Sequence, residues 1–507
     1  MVRHLQGSWS NVIMLKELLK SLPPHETTGR LDLEIGGVSY DSRKVEPGDL
    51  FVCIRGLKAD GHDFAPQAVQ RGAAALVVEQ PLEMIGVTQV RMGNPREALA
   101  LLSCSFFGNP SASLNLIGVT GTNGKTTTAH IIEAIGAEAG YTTGLIGTVY
   151  VKVADQIQPA RWTTPESLDL QRLLREMVDR GVQWASMEVS SHALDLHRVT
   201  GTEFDQAVFT NITRDHFDFH KDFRQYLEAK ARLFTGLGTN NRKAPPKAAV
   251  INADDPNAEE FARRSHVKVI TFGVESPAEV KAENIELKSL GSRFTVRSPW
   301  GSFPVHLRLP GMFNVSNALA AVTAVLHAGI APEVVAAAME KFTKVPGRYE
   351  VIDCGQDFTV LVDFAHNPDA LANILRIPPQ SETGRKIVVF GAEGGKDRGK
   401  RPIMGQMAMK HADYCIISSD NIYDEDPEAI AHEVEQGVSA AGKAPAYEVI
   451  IDRHDAIARA LDVARAGDLV IIAGKGHEIY KIIKGHKRPF DDRVVVRELL
   501  EERWGGK

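Results

Sequence analysis

GVTGTNGKTTT, residues 118–128, is the segment that decides the fold. Ahead of it, residues 114–119 form a short, mostly apolar run with strand character. Behind it lies a long helix-compatible stretch that ends at Gly140. A strand, a glycine loop and a Lys-Thr pair at a helix start together make a phosphate cradle. Backbone N–H groups of Gly121, Thr122, Asn123 and Gly124 are expected to converge on phosphate oxygens. Lys125 then neutralises β/γ charge, and Thr126 is placed to hold Mg²⁺. The strict pattern GxxxxGK[ST] wants glycine at position 119, where this chain has Val119, and the glycines run Gly118, Gly121, Gly124 instead. An ordinary Gly-rich turn would lack the flanking strand and helix, and both are present.

Outward from the loop, strands and helices alternate. Before it, the Pro47-Gly48-Asp49 turn sets up a strand at residues 50–54, and a helix around residues 66–72 precedes a buried strand at 73–78. The first 20 residues read as an amphipathic helix and not a signal peptide, because Lys16, Glu17 and Lys20 interrupt any apolar run. Turn residues thicken at Asn109-Pro110-Ser111, the first boundary. After the loop, strands are expected at 184–189, 206–210 and 248–252. A helix carries Phe223, Tyr226, Leu227, Ala231 and Phe234 on one face, and a buried helix starts near Asn314. Residues 240–249 form a polar loop. From Val345-Pro346-Gly347 onward, strands at 359–362, 386–390, 414–418 and 469–473 alternate with helices, a parallel doubly wound pattern. The chain therefore divides into residues 1–111, 112–344 and 345–507, which matches the three domains expected of 507 residues at roughly 150 per domain.

Composition narrows the function class. With 43% hydrophobic residues the chain can bury large cores, so disorder is excluded as its main state. Lys and Arg number 58 against 64 Asp and Glu, a net charge of −6, which leaves no electrostatic footprint for nucleic acid or an anionic membrane. Cys53, Cys104, Cys354 and Cys415 lie too far apart for a zinc ribbon and read as reduced thiols. The longest apolar run, residues 318–326, is too short to span a bilayer. A cytoplasmic protein without membrane insertion is expected.

The loop's spacing resembles the ATP site of the Mur ligases, and further motifs follow in that family's order: SYDSRKVEPGDLFVCIRG, TTPES, MEVSSHAL, NITRDHFDFH, EAKARLF, LPGMFNVSNALAA, VPGRYE, DFAHNPDAL, GKRPIMG, GKGHEIY and FDDR. The resemblance covers essentially the whole chain. It implies an N-terminal domain that binds a uridine-nucleotide substrate, a central P-loop ATPase domain, and a C-terminal Rossmann-like domain that closes on ATP and binds an amino acid. The implied activity is ATP-driven addition of a diamino acid (meso-diaminopimelate, lysine or ornithine) to UDP-MurNAc-L-Ala-D-Glu through an acyl phosphate, in peptidoglycan synthesis. Both substrates are small molecules, and a monomer is expected.

The resemblance also implies residue roles. ATP is met by Gly121, Thr122, Asn123, Gly124, Lys125, Thr126 and Thr127, with Asn317 near the adenine and Arg348, Asp363 and His366 arriving from the third domain. Mg²⁺ falls to Thr126, Glu188 and His216, while His220 is left structural. Lys230, by spacing alone a lysine on a helix surface, corresponds to the lysine that carries a carbamate and so joins the second Mg²⁺. Lys125, His216 and Lys230 are the catalytic set. Ser42 meets the uridine diphosphate, and Thr163, Thr164, Ser190 and Arg198 meet the muramoyl-dipeptide. Trp162 stands where the family usually has Asn, and Asn367 where Thr is commoner.

The acceptor residues are expected to be Lys396, Asp420, Asn421, Tyr423, Gly474 and Glu478. The diaminopimelate enzymes carry DNPR where this chain has Asp420-Asn421-Ile422-Tyr423, and GDRDKGKR where it has GGKDRGKR. Two carboxylate-gripping arginines are thus Tyr423 and Lys396, which are not equivalent to Arg for bidentate binding. That favours an acceptor with one carboxylate and a distal ammonium, whereas overall similarity favours diaminopimelate, so both remain open. Two other activities fit the motifs less well: a folylpolyglutamate-type ligase, disfavoured by the DSR-containing first domain, and a non-catalytic nucleotide-binding paralogue, disfavoured because Lys125, Thr126, Glu188, His216 and Lys230 all occur together.

Overall fold

The computed structural model describes residues 12–56, 59–84, 86–239, 242–243, 246–288, 290–379, 381–440 and 446–504. Its central feature is an eleven-stranded sheet. The strand Asn115–Thr120 lies in the middle, with Trp184–Glu188 on one side and Gln206–Phe209 on the other, all parallel. Chain order reverses there, which opens a crevice at the strands' carboxyl ends. The register pairs Val119 with Glu188 and Thr120 with Phe209, so the glycine loop and the Glu188 carboxylate emerge at the same edge.

That register also explains the missing glycine. Val119 is a fully buried strand residue packed in the core with Ile117, Ile131 and Val208, not a loop position. The loop proper starts at Gly121. The helices Lys125–Glu138 and Met312–His327 cover one sheet face, and Ser167–Asp179 and Phe223–Thr235 the other. Apolar residues at helical spacing supply the burial that holds them there.

Strands that periodicity did not reveal extend both edges: Thr143–Ile146, parallel to Trp184–Glu188, then Tyr150–Val153 and Gln156–Pro159 antiparallel at one, and Val280–Lys288, parallel to Lys268–Gly273, then Gly291–Ser298 and Gly301–Leu307 antiparallel at the other. A second sheet runs Glu350–Ile352, Thr359–Asp363, Leu469–Ala473, Lys386–Phe390, Tyr414–Ile417, Ala446–Val449, parallel except at its first strand, with helices on both faces. The five-stranded N-terminal sheet includes Asp49–Val52 and Ala75–Val78. These are α/β layers throughout, with a central nucleotide-loop sheet and a doubly wound C-terminal one.

The expected N-terminal helix is corrected. Its first eleven residues lie outside the described ones. The remainder is a short strand, Ile13–Met14, paired with Glu34–Ile35, then one helical turn, Leu15–Leu18. Leu15, Leu18 and Leu19 do bury one face, but Pro23-Pro24 stops the helix soon after.

Candidate active site

A cavity of about 750 Å³ opens where the central and C-terminal sheets meet, lined by Asn123, Lys125, Glu188, Arg198, His216 and Lys230 from one side and by Arg348, His366, Lys396, Lys400 and Tyr423 from the other. Its floor is the glycine loop. Gly124 has φ +87°, and a Cβ there would lie 2.2 Å from Asn317 Oδ1, so only glycine fits. The loop differs from expectation in one respect. The Thr122 N–H donates to the Asn211 carbonyl (2.8 Å) and the Asn123 N–H to Asn211 Oδ1 (2.9 Å), so these two donors shape the loop and are not free for phosphate. The donors left for phosphate are those of Gly121 and Gly124 and the first N–H groups of the helix that begins at Lys125.

Thr126 and Glu188 meet directly. The Thr126 hydroxyl donates to Glu188 Oε2 at 2.9 Å, while the Thr148 N–H donates to Oε1 at 2.7 Å. Glu188 is 1% exposed, not an exposed strand-end carboxylate. A hydroxyl beside an anchored carboxylate is a hard-oxygen donor set of the kind Mg²⁺ takes. Thr127 also lines the cavity.

Lys230 corrects the surface reading outright: it is 1% exposed. Asp222 caps its helix by accepting the Gln225 N–H, and Lys230 shares the buried face with Tyr226, Leu227, Leu233 and Phe234 at i±3 and i±4. Its Nζ donates to the Gly121 carbonyl at 2.7 Å and sits 4.5 Å from the Tyr226 ring centre. Among the described residues no carboxylate lies within ion-pair distance of it. Burial, and then the Lys125 charge, push its pKa well below the usual lysine range.

His216 adopts a left-handed backbone, φ 59°, beside Asp215, which lies 3.9 Å from both the His216 and His366 rings. The His216 side chain keeps 34% of its surface open, yet the surrounding burial holds its pKa well below the ordinary histidine value. The neutral ring is the metal-ligating form. His220 is turned away, its Nε2 3.0 Å from Ser191 Oγ.

The third domain closes on the loop. Arg348 Nη2 reaches the Thr126 hydroxyl at 3.3 Å, with its guanidinium 4.4 Å over Phe364 and its buried Nε without a partner. Asp363 accepts the Tyr349 N–H, and burial raises its pKa. Asn367 caps the helix Pro368–Leu375 and donates to Asn123 Oδ1 at 3.0 Å, while Asn123 donates to Asp369 at 2.8 Å. Arg214–Asp397 (3.0 Å) and Lys396–Asp218 (3.6 Å) add ion pairs across the same gap.

On the opposite wall, the Thr164 hydroxyl donates to the Glu188 carbonyl at 2.8 Å and accepts the Ser190 N–H at 3.1 Å; Thr163 lies 3.1 Å from the Thr148 hydroxyl. Arg198 pairs with Glu166 at 2.9 Å, which also holds Arg96 of the N-terminal region at 3.2 Å. The half-exposed Trp162 ring lies 5.7 Å from the Arg198 guanidinium, and Arg198 Nε is buried without a partner. Ser42 lies outside the cavity, hydrogen-bonded to Gln67 at 2.6 Å.

The expected acceptor residues separate into two groups. Lys396 and Tyr423 line the cavity; Asp420, Asn421, Gly474 and Glu478 stand behind it. There the fully buried Lys475 donates to Asn421 Oδ1 (3.1 Å) and Glu478 Oε2 (2.8 Å) and lies 3.7 Å from Asp420. Tyr423 is in a left-handed conformation, φ 51°, and its hydroxyl pKa is raised, by burial first and then by Glu393 and Glu478. Sequence reasoning missed Thr148, Asp215, His192, Glu393 and Lys400, all on the cavity wall. Asp215 and His192 did stand within quoted motifs, RDHFDFH and SSHAL, whereas nothing marked Thr148.

Comparison with known proteins accounts for this constellation. Residues 34–106 match the Mur ligase family, catalytic domain; residues 119–325 the Mur ligase middle domain; and residues 347–476 the Mur ligase, glutamate ligase domain. A Geobacillus thermodenitrificans protein named UDP-N-acetylmuramoyl-L-alanyl-D-glutamate--2,6-diaminopimelate ligase is 46% identical over 489 residues, 96% of this chain and 99% of the relative. One of the same name from Bacillus cereus is 46% identical over 470 residues, 93% and 95% of the two chains. A solved structure of a protein with that name superposes with a TM-score of 0.68 at 32% identity, covering 97% of this chain and 99% of the other. With its loop, its buried acid and lysine and its closing third domain all matched along their length, the chain belongs to the Mur ligase family of ATP-dependent ligases.

Proposed function

We propose that this chain joins a diamino acid to UDP-N-acetylmuramoyl-L-alanyl-D-glutamate at the expense of ATP, in peptidoglycan synthesis. The observation that carries this reading is the convergence of Lys125, Thr126, Glu188, His216 and Lys230 on one cavity that also meets Arg198 and the C-terminal domain. The names of the relatives, which match nearly end to end, support the same substrate.

In the proposed reaction an oxygen of the D-glutamate side-chain carboxylate attacks the γ-phosphorus. An O–P bond forms and the bond to the β–γ bridging oxygen breaks, leaving ADP and an acyl phosphate. The acceptor's amine, having lost its proton, then attacks the acyl carbon; the C–N bond forms and phosphate departs with the electron pair. Lys125 and Arg348 offset the charge of the phosphates and Arg198 orients the dipeptide. Thr126 and Glu188 would hold one Mg²⁺, and His216 with a carbamylated Lys230 a second; bound there, the metal would supply the charge neutralisation that lets two anions approach. As an amine Lys230 is no ligand for Mg²⁺; as a carbamate it is, and a buried amine of lowered pKa is the nucleophilic form that reacts with CO₂. Residues 1–111 are read as the uridine-nucleotide domain, 112–344 as the ATP domain and 345–507 as the acceptor domain. No helix among the described residues is long and apolar enough to cross a membrane, and an ATP-consuming reaction suits the cytoplasm.

A second reading concerns the acceptor alone. The relatives are named for 2,6-diaminopimelate, but the charged neighbours that act on Tyr423 are the acids Glu393, Glu478 and Asp420. That surrounding suits a lysine- or ornithine-type acceptor with a distal ammonium. Binding of UDP-MurNAc-L-Ala-D-Glu against a folate tests the reaction class: micromolar affinity for the first and none for the second is expected, and the reverse would overturn the reading.

A further inference from the structure

The helix Lys400–His411 opens with a lysine and has no acid in its first turn. A cation there opposes the partial positive charge of the helix N-terminus. Burial makes the arrangement costlier still, because Lys400 is 3% exposed. Among the described residues its ammonium has no hydrogen-bond acceptor and no carboxylate within ion-pair distance. Other buried cations of the same domain are matched. Arg401 pairs with Glu425 and Glu433, both at 2.9 Å, Arg453 with Asp492 at 2.7 Å, and Lys475 with Glu478 at 2.8 Å. Such a cation is matched only when a bound ligand supplies the counter-charge.

Lys400 lines the central cavity, and its neighbours there show which anion that is. Its charge falls on His366 and Asp215. The Asp215 charge falls in turn on Lys125 and Lys230. Lys400 thus shares Asp215 as a charged neighbour with Lys125 of the glycine loop and with Lys230. Glu393 and Tyr423 line the same cavity. On the ligase reading, that cavity is where a group leaving ATP meets an incoming amine.

We propose that Lys400 is a catalytic residue, its ammonium contacting the phosphoryl oxygens as that group passes from ATP to the substrate carboxylate and again while it forms the acyl phosphate. This rests on the ligase reading above. In both steps Lys400 forms and breaks no covalent bond, and offsets charge that spreads over the phosphoryl oxygens and then leaves as phosphate. Because the lysine belongs to the C-terminal domain, closure of that domain completes the phosphoryl site and does more than cover the nucleotide.

The test compares full-length wild type with Lys400→Met and Lys400→Arg. Two quantities are read: phosphate release with UDP-MurNAc-L-Ala-D-Glu and acceptor, and positional isotope exchange of β,γ-bridge-labelled ATP without acceptor. Lys400→Met is expected to lower kcat and isotope exchange together by about 100-fold, with the acceptor KM and the UDP-substrate affinity within about threefold of wild type. Lys400→Arg should recover part of the loss. If Lys400→Met does not fold, Lys400→Gln gives the same readout. A kcat within about threefold of wild type overturns the proposal. So does a raised acceptor KM with kcat retained, which would assign Lys400 to an acceptor carboxylate. Wild type that releases no phosphate with any acceptor contradicts the ligase reading itself, and this proposal with it.

Discussion

Lys125 and Lys230 donate to the same atom, the carbonyl oxygen of Gly121, at 2.9 and 2.7 Å. Two ammonium groups on one acceptor repel each other, and burial lowers the pKa of both. A carbamate on Lys230 would turn that repulsion into attraction and give the cavity an anion for metal. Lys230→Ala should therefore collapse amide synthesis while leaving UDP-MurNAc-dipeptide binding nearly intact, as read by turnover alongside calorimetric binding. Near-normal turnover in this variant would sink the carbamate assignment.

Glu188 accepts from the Thr126 and Thr148 hydroxyls and from the Thr148 N–H. Glu188→Gln keeps the shape of the side chain and removes its charge. Turnover should fall about 100-fold or more and the Mg²⁺ concentration for half-activity should rise. A magnesium titration with an unchanged midpoint would count against Glu188 as a ligand.

Tyr423 lines the cavity, and the proposed acceptor reading puts it where an arginine would grip a second carboxylate. Tyr423→Arg should raise the use of meso-diaminopimelate relative to lysine. Competition between the two acceptors measures this, and an unchanged ratio would argue that Tyr423 does not read the acceptor's far end.

Arg453 and Asp492 form a fully buried bidentate pair, at 2.8 and 2.7 Å, and Arg453 also holds the Ala473 carbonyl at 2.9 Å. Removing one partner strands the other charge. Asp492→Ala should cost about 3–5 kcal/mol of C-terminal domain stability. Denaturant unfolding superimposable on that of wild type would contradict this.

Much of the site was legible in the sequence because its residues sit in loops and element ends whose chemistry is local: the glycine loop, Glu188 at a strand end, His216 in RDHFDFH. What escaped depends on the third dimension. Val119 looked like a broken loop pattern, yet it is a strand residue whose place is set by pairing with Glu188 and packing against Val208. Lys230 looked like surface until its helix face met the sheet. Two loop N–H groups seemed free for phosphate until Asn211, nearly ninety residues on, took them. The edge hairpins carry too little alternation for periodicity to find them, as in residues 156–159, where every residue is exposed. Lys400 stands within the quoted motif GKRPIMG, but its place on the cavity wall shows only once the C-terminal sheet meets the glycine loop.

The most direct test of the central claim is phosphate release from ATP with UDP-MurNAc-L-Ala-D-Glu, comparing meso-diaminopimelate, L-lysine and L-ornithine as acceptors. Release that requires both the UDP-substrate and one of these amino acids is the predicted result, and it names the acceptor in the same experiment. Silence with all three, in protein shown to bind ATP, would contradict the ligase reading and leave a nucleotide-binding protein that has kept the family's fold.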